Sequence, residues 1–393
     1  MAGGERLNLV FENLYALKIE TEFYIGAGII FNKEFVVFDE AKNALLIIDH
    51  NVVNQAYVVH FVKELGEIYE DLTIIENTEI EPRTSTVDRM VTQCKESRLN
   101  AVFGVGGGST LDTAKAIAIL LTNPGIAENY QGMNKASRPG IPSIMIPTIA
   151  GSGAEITPSA VLINTEKKFK GGINGRFVAP TRALLDPGVT AKAPVSSTVY
   201  AAFDAFVHAL ESYTCKLASP IVKMFGTEAL RILLRAIPRI ADKPEDLLLR
   251  EDLLLAAELA AIALMHSEPG PMASFGYQLA IRHGVPHGLA NAIMIDKTMA
   301  IQIEKGADYR FLYELLPQKP SVEGQKEKSL AAYQYVSEII NNVNVPKNLF
   351  SYGFMPEHYE ELASFVDYAK KGFPAAVTGF HREDLLKVLM SLS

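Results

Sequence analysis

The sequence predicts an α/β amino-terminal domain followed by an all-α carboxy-terminal domain, and three observations carry that expectation. Short buried apolar runs alternate with helical spacings as far as residue 187. From Pro194 onward long amphipathic helices follow one another with few strand candidates. The 393 residues also exceed what one hydrophobic core usually serves. The boundary is expected near residue 188, giving domains of 1–188 and 189–393.

Glu22 to Ile30, EFYIGAGII, reads as a strand entering a glycine-containing turn, and Asn43 to Ile48, NALLII, as a buried strand ending at Asp49. An acidic side chain there can accept hydrogen bonds from a ribose diol or cap the helix that follows. Asp71 to Glu76 supplies another apolar strand, and Thr86 to Arg98 places Val87, Met90, Val91 and Cys94 at helical spacing. Asn100 to Leu120 is a strand, a glycine run and an alanine-rich helix, with Gly106, Gly107, Gly108 and Ser109 in the turn. Glycines let a pyrophosphate approach the backbone, and the free amides opening the helix bind its charge. A tight structural turn is the competing reading, because the run matches neither G-x-G-x-x-G nor a Walker loop.

Asn123 to Pro142 reads as loop from its Asn-Pro-Gly and Arg-Pro-Gly punctuation. Ile144 to Pro147 is a short strand running into TIAGSGAEITPSAVL, where Thr148, Ser152 and Thr157 can donate to phosphate or ribose, or cap a helix. A hairpin is expected through Thr165 to Gly175, and Arg182 to Pro187 as the last strand of the sheet. Beyond it the expected helices are Ser196 to Cys215, Ile221 to Ala241, Glu245 to Met265, Ala273 to Ile281, Leu289 to Lys305, Leu330 to Asn342 and Arg382 to Leu392.

In the first of these helices Asp204 and His208 lie four residues apart, one turn, and so share a face. A helix face holds two ligands of a divalent cation with little entropy left to lose, although an ordinary helix surface carries the same pair. Elsewhere the chemistry is narrowed by composition. The net charge of −8 argues against a nucleic-acid-binding surface. Cys94 and Cys215 are too few for a disulfide scaffold and fit a reducing cytoplasm. The first fifteen residues, MAGGERLNLVFENLY, lack the long apolar region of a signal peptide, and Leu253 to Met265 is too short to span a bilayer, so no membrane segment is expected.

Five motifs in order resemble the iron-containing (group III) alcohol dehydrogenase family, related to dehydroquinate synthase, over nearly the whole chain. They are GGGSTLDTAKA at 106–116, IPTIAGSGAEIT at 146–157, ALLDPGVT at 183–190, AFDAFVHALESY at 202–213 and PHGLANAI at 286–293. The resemblance implies a dehydroquinate synthase-like fold: a dinucleotide-binding α/β domain, an all-helical metal and substrate domain, and an active site between them. It implies a cofactor site of Asp49, Gly106, Gly107, Gly108, Ser109, Asp112, Thr148, Ser152 and Lys170, with Asp49 favouring NAD over NADP. It implies a divalent metal, Fe or Zn, on Asp204, His208 and His287, and a homodimer.

The departures from the family pattern fall at the metal. Family members carry two histidines four residues apart ahead of the Pro-His-Gly motif, one a ligand and one a proton relay. Here those positions are Ala273 and Tyr277. His283, and His266 with Glu268, are the nearest substitutes in sequence, but Gly284 and Pro286 argue against His283 and His287 sharing a regular helical turn. Tyr277 and His283 are therefore the candidate proton-transfer residues. A tyrosine at the relay position also resembles the 3-deoxy-manno-octulosonate 8-oxidase branch of the family. Arg83 stands where the family has asparagine, and together with Arg282 it allows an anionic substrate; a solvated loop arginine is the plainer reading of Arg83.

The activity implied is metal-assisted hydride transfer between a primary alcohol, such as a sugar acid, and NAD. An oxygen-dependent sugar-alcohol oxidase and a metal-free NAD-binding protein are the alternatives.

Overall fold

In the computed structural model, which describes residues 16–39, 41–167, 169–367, 369, 372–376 and 378–392, the apolar runs become parallel strands. Strands β1 (Glu22–Ile25), β2 (Asn43–Asp49), β3 (Asp71–Asn77) and β4 (Ala101–Gly106) alternate with helices α1 (Lys33–Val36), α2 (Ala56–Ile68), α3 (Thr84–Cys94) and α4 (Gly108–Leu120). Then come α5 (Ala127–Tyr130), β5 (Gly132–Met133), β6 (Ser143–Pro147), β7 (Ser159–Asn164), β8 (Phe169–Asn174) and β9 (Arg182–Leu185). The main sheet has the order β1-β9-β6-β4-β2-β3, all parallel, and a smaller sheet has the order β5-β8-β7. The expectation about the first fifteen residues lies outside the described residues.

Both faces of the main sheet are covered, which is why β2 is a continuous apolar run rather than an alternating one. Leu45 and Ile47 pack with Val102, Leu111 and Ile117 on one face. Leu46 and Ile48 pack with Phe61, Leu65 and Phe103 on the other. Each such side chain fully removed from water contributes roughly 1.5–3 kcal/mol before entropy is counted.

Three details differ from the expectations. The stretch 123–142 contains the single turn α5 and the short strand β5, which joins the smaller sheet. The hairpin begins earlier, at Ser159, because β7 pairs antiparallel with β8 from Ser159↔Asn174 onward. The strand expected to end at Pro187 ends at Leu185, because Asp186 accepts from the backbone N–H of Gly188 at 2.8 Å and so caps a helix. Although last in sequence, β9 lies inside the sheet between β1 and β6.

Among the described residues, the α-helices that follow β9 are α6 (Pro187–Thr190), α7 (Val195–Thr214), α8 (Pro220–Ile240), α9 (Leu247–Met265), α10 (Pro271–His283), α11 (His287–Glu304), α12 (Arg310–Leu315), α13 (Gln325–Asn342), α14 (Tyr359–Ala363) and α15 (Arg382–Met390). One apolar core joins α7 through α11 to the later helices. Among the described residues, no helix is long and apolar enough to cross a membrane.

The loop from β6 to β7 fastens the two halves together. A Cβ on Gly153 would fall 2.1 Å from the Ala261 Cβ of α9, and one on Gly151 would fall 2.8 Å from the Ala201 carbonyl of α7, so only glycine permits this approach. Just beyond, Glu155 meets Glu258 of α9, both fully buried. Beside them the buried Lys115 ammonium donates to the carbonyls of Ala154 (2.7 Å) and Ser159 and pairs with Asp112 at 2.8 Å.

Candidate active site

α7 carries Asp204 and His208 on one buried face, each about 5% exposed. What brings a third ligand to them is the junction between α10 and α11. Gly284 adopts a left-handed conformation (φ 64°) and stops α10, and Pro286 supplies the extended N-cap that starts α11, so His287 becomes its first residue. The next residue, Gly288, sits where a Cβ would come 2.5 Å from the Tyr200 carbonyl of α7. The start of α11 is thereby pressed against the middle of α7.

The result is a set of three ligand atoms, all within 4.8 Å of one another. His208 Nε2 and His287 Nε2 each lie 3.6 Å from Asp204 Oδ1. One carboxylate and two imidazoles converging this way are a donor set that fits Zn²⁺ or Fe²⁺. Asn291, one turn beyond His287, donates from Nδ2 to Asp204 Oδ1 at 2.6 Å and lies 3.3 Å from His287 Nε2. Motif reading passed over Asn291, although its i+4 spacing from His287 on a helix was a usable signal.

Burial holds the His287 imidazole below the ordinary histidine range, with Lys170 and His208 adding to the effect against the opposing pull of Asp204. A neutral ring keeps its lone pair for a cation. Tyr277 stacks on it with ring centroids 4.5 Å apart, and the Lys170 ammonium sits 5.0 Å above the other ring. Lys170 itself pairs with Glu81 at 2.6 Å. Burial, followed by the charges of Asp204, Asp112 and Glu81, pushes the Tyr277 phenol well above its ordinary range, so it is held protonated. Because Lys170 belongs to β8 and Tyr277 to α10, this stack spans the two halves.

Ala273 is buried in the first turn of α10. Its N–H, with those of Gly270 and Met272, is bonded by the Glu211 carboxylate at 2.7 to 3.1 Å. Burial pushes Glu211 up to about 7 against the pull of those three donors.

The histidines weighed as substitutes lie elsewhere. His283 rests against Phe354 and His358. His266 bonds the Ile262 carbonyl and the Lys18 N–H. Neither joins the three-ligand cluster. Arg282 is engaged in an ion pair with Glu361, and Arg83 is exposed at the N-cap of α3.

The carboxyl ends of β2, β4 and β6 bring together Asp49, the glycine turn and Thr148, the position where open α/β sheets take their ligands. A Cβ on Gly106 would lie 2.8 Å from that of Asp49, and the Thr148 N–H donates to the Gly106 carbonyl at 3.0 Å. Gly108 opens α4 beside Ser109, with the Ser152 hydroxyl 2.9 Å from where a Gly108 Cβ would be. Asp49 caps its own turn, accepting from Asn51, while the cap position of α2 belongs to Gln55. Asp112 is engaged inside the fold: besides Lys115 it accepts from the Val161 N–H at 3.0 Å, so it clamps α4 to β7.

Two family models match the chain, iron-containing alcohol dehydrogenase over residues 20–187 and the carboxy-terminal domain of the Fe-containing alcohol dehydrogenase family over residues 198–392. The NAD-dependent methanol dehydrogenase of Bacillus methanolicus is 28% identical over 344 residues, covering 86% of this chain and 90% of that protein. The probable alcohol dehydrogenase EutG of Salmonella typhimurium is 31% identical over 284 residues, 72% of this chain and 70% of its own. Among solved structures, a 1,3-propanediol oxidoreductase superposes with a TM-score of 0.90 at 22% identity, covering 97% of this chain and 100% of that one.

Proposed function

Because the chain belongs to the iron-containing alcohol dehydrogenase family, we propose that it interconverts a primary alcohol and its aldehyde with NAD as hydride acceptor, using a divalent cation on Asp204, His208 and His287. The observation that carries this reading is the convergence of those three ligand atoms within 4.8 Å, beside a stack that reaches the nucleotide-type half. When bound, the cation supplies Lewis acidity that lowers the pKa of an alcohol, and the nicotinamide supplies the place for the hydride.

This chain's own residues prepare that chemistry in three ways. Asp204 provides the negative charge and His287 stays neutral, so two nitrogen lone pairs and one carboxylate face the same point. The Tyr277 ring covers His287 and excludes water from that side. Held protonated, Tyr277 acts as a hydrogen-bond donor that orients oxygen rather than as the base that removes a proton. Lys170 and Glu81 place a compensated charge pair over the ring. We assign Asp49, Gly107, Gly108, Ser109, Thr148 and Ser152 to the dinucleotide. Of the two arginines that would suit an anionic substrate, Arg282 is held by Glu361 and Arg83 is exposed at the start of α3.

Metal analysis of the purified protein and of Asp204→Ala, together with NADH formation across a panel of primary alcohols and sugar acids, tests the reading. The expected result is about one Fe or Zn per chain and NADH formation in the wild type, both lost in Asp204→Ala. Equal, near-zero metal in both proteins would remove the Lewis-acid mechanism. Peroxide without net NADH would replace the dehydrogenase by an oxidase, and NADH binding with no turnover would leave a nucleotide-binding protein.

A further inference from the structure

We propose that Asn291 is a fourth protein ligand of the cation, binding through its side-chain oxygen after a half-turn of the amide. The inference rests on the reading above that Asp204, His208 and His287 hold a cation, and it names the residue that completes the set where Ala273 offers only a methyl group.

The geometry is that of a ligand rather than a bystander. With metal–ligand bonds of about 2.0–2.1 Å, neighbouring ligand atoms of a tetrahedral or octahedral centre stand about 2.9–3.4 Å apart. Asp204 Oδ1 lies 3.6 Å from each imidazole nitrogen, and the inward atom of the Asn291 amide lies 2.6 Å from that oxygen and 3.3 Å from His287 Nε2. Those separations bracket the edges of one coordination polyhedron. Asn291 is fully buried and projects from the same helix face as His287, four residues on.

The inward atom is the amide nitrogen, whose hydrogens occupy the place a cation would take and satisfy Asp204. The outward atom, Oδ1, is buried without a hydrogen-bond partner and faces Gly276, where a Cβ would come 2.7 Å from it. A carbonyl oxygen left unpaired in the interior is unfavourable. The terminal torsion of asparagine is broad and two-fold, so a half-turn exchanges the two ends. In that orientation the amide offers an oxygen lone pair beside Asp204 Oδ1 and His287 Nε2. A Cβ at 276 would crowd both the amide oxygen (2.7 Å) and the His287 ring (3.0 Å), so glycine there leaves the amide room to turn. Asn291 thus fills the site with a donor when no cation is held and with an acceptor when one is.

Titrating Co²⁺ into the chelator-treated full-length protein tests this, because the visible bands of Co²⁺ report its inner coordination shell. Wild type should bind Co²⁺ and Asp204→Ala should not. Asn291→Ala should bind at least about tenfold more weakly, with band intensities altered from wild type. Asn291→Asp, which keeps an oxygen at the vertex and adds charge, should bind at least about tenfold more tightly with a band pattern like wild type. Circular dichroism establishes that each variant is folded, and if Asn291→Ala is not, weaker binding or altered bands in Asn291→Asp would overturn the proposal. Superimposable bands for wild type and Asn291→Ala would place the amide outside the inner shell and overturn this inference alone. Failure of wild type to bind more Co²⁺ than Asp204→Ala would overturn it together with the metal-site reading.

Discussion

Two buried acidic sites in this molecule deal with their charge in opposite ways. Around Asp204 two imidazoles and one asparagine amide converge, with a phenol stacked on one of the imidazoles. Around Glu258 the neighbour is a second carboxyl, Glu155, and Lys115, the ammonium that acts on Glu155, is already committed to Asp112 and two carbonyls. Burial raises both glutamates, Glu258 strongly because Glu155 also repels its charge. Two carboxyls together in the interior are stable only if they hold a proton. Density of acid therefore does not mark a metal site; the kind of atom facing the acid does. The donor set at the first fits a cation, and the pair at the second calls for a proton.

The largest expected effect comes from removing the acid at the first site. Asp204→Ala should lower kcat/KM by roughly a thousandfold or more, since the Lewis-acid contribution is several kcal/mol, while stability falls by only about 1–3 kcal/mol as the buried Asn291 amide loses its acceptor. Steady-state kinetics beside calorimetry decides this, and a collapse of stability without loss of catalysis would make Asp204 structural.

The reverse is expected at the second site. Both glutamates hold protons more tightly in the folded chain than in the unfolded one, so above the ordinary glutamate range the folded state carries the extra proton. Stability must then fall as pH rises through their folded titration. Glu258→Gln fixes a donor in place and should exceed wild type by about 1–3 kcal/mol at pH 9 while matching it near pH 5. Denaturant melts at the two values provide the check, and identical pH slopes would dissolve the contrast between the sites.

Glu211 is an intermediate case, a single buried acid beneath three N–H groups. With its carboxyl raised to about 7, the same sign holds and its stabilising contribution declines between pH 4.5 and 7. Glu211→Gln, which turns an amide N–H₂ toward backbone donors, should lose about 1–3 kcal/mol at pH 5 and flatten that slope. The smallest effect is expected for Tyr277→Phe. A phenol that only orients oxygen contributes one hydrogen bond, so kcat/KM should fall by about tenfold or less. A loss beyond about a hundredfold would restore Tyr277 as the proton relay.

The parts legible in the sequence were those governed by short-range periodicity. Buried strands such as Asn43–Asp49 and the turn of helix linking Asp204 to His208 follow from patterns a few residues long. The break between His283 and His287 was readable from Gly284 and Pro286, whose backbone preferences need no tertiary context. What stayed hidden depends on pairing across the chain. Glu155 and Glu258 stand 103 positions apart in the sequence, and nothing local in either announces the other. The engagement of Asp112 by Val161 and of Arg282 by Glu361 was likewise beyond reach, since a charged residue reads the same whether its partner is a ligand or a neighbour, whereas the Asp112–Lys115 pair, three residues apart on α4, lay within reach of helical spacing. The glycines of GSG stand inside a family motif with no reading of their own, and in the fold they let α7 and α9 touch that loop.

The stacking of Tyr277 on His287 has an optical consequence. The chain contains no tryptophan, so its near-ultraviolet emission comes from tyrosine alone. Tyr277→Trp would place a single indole against a candidate ligand imidazole, with no other indole to mask it. Excitation near 295 nm would then watch one ring, and a titration of cation or nicotinamide could be followed as a change in the brightness and colour of that ring alone.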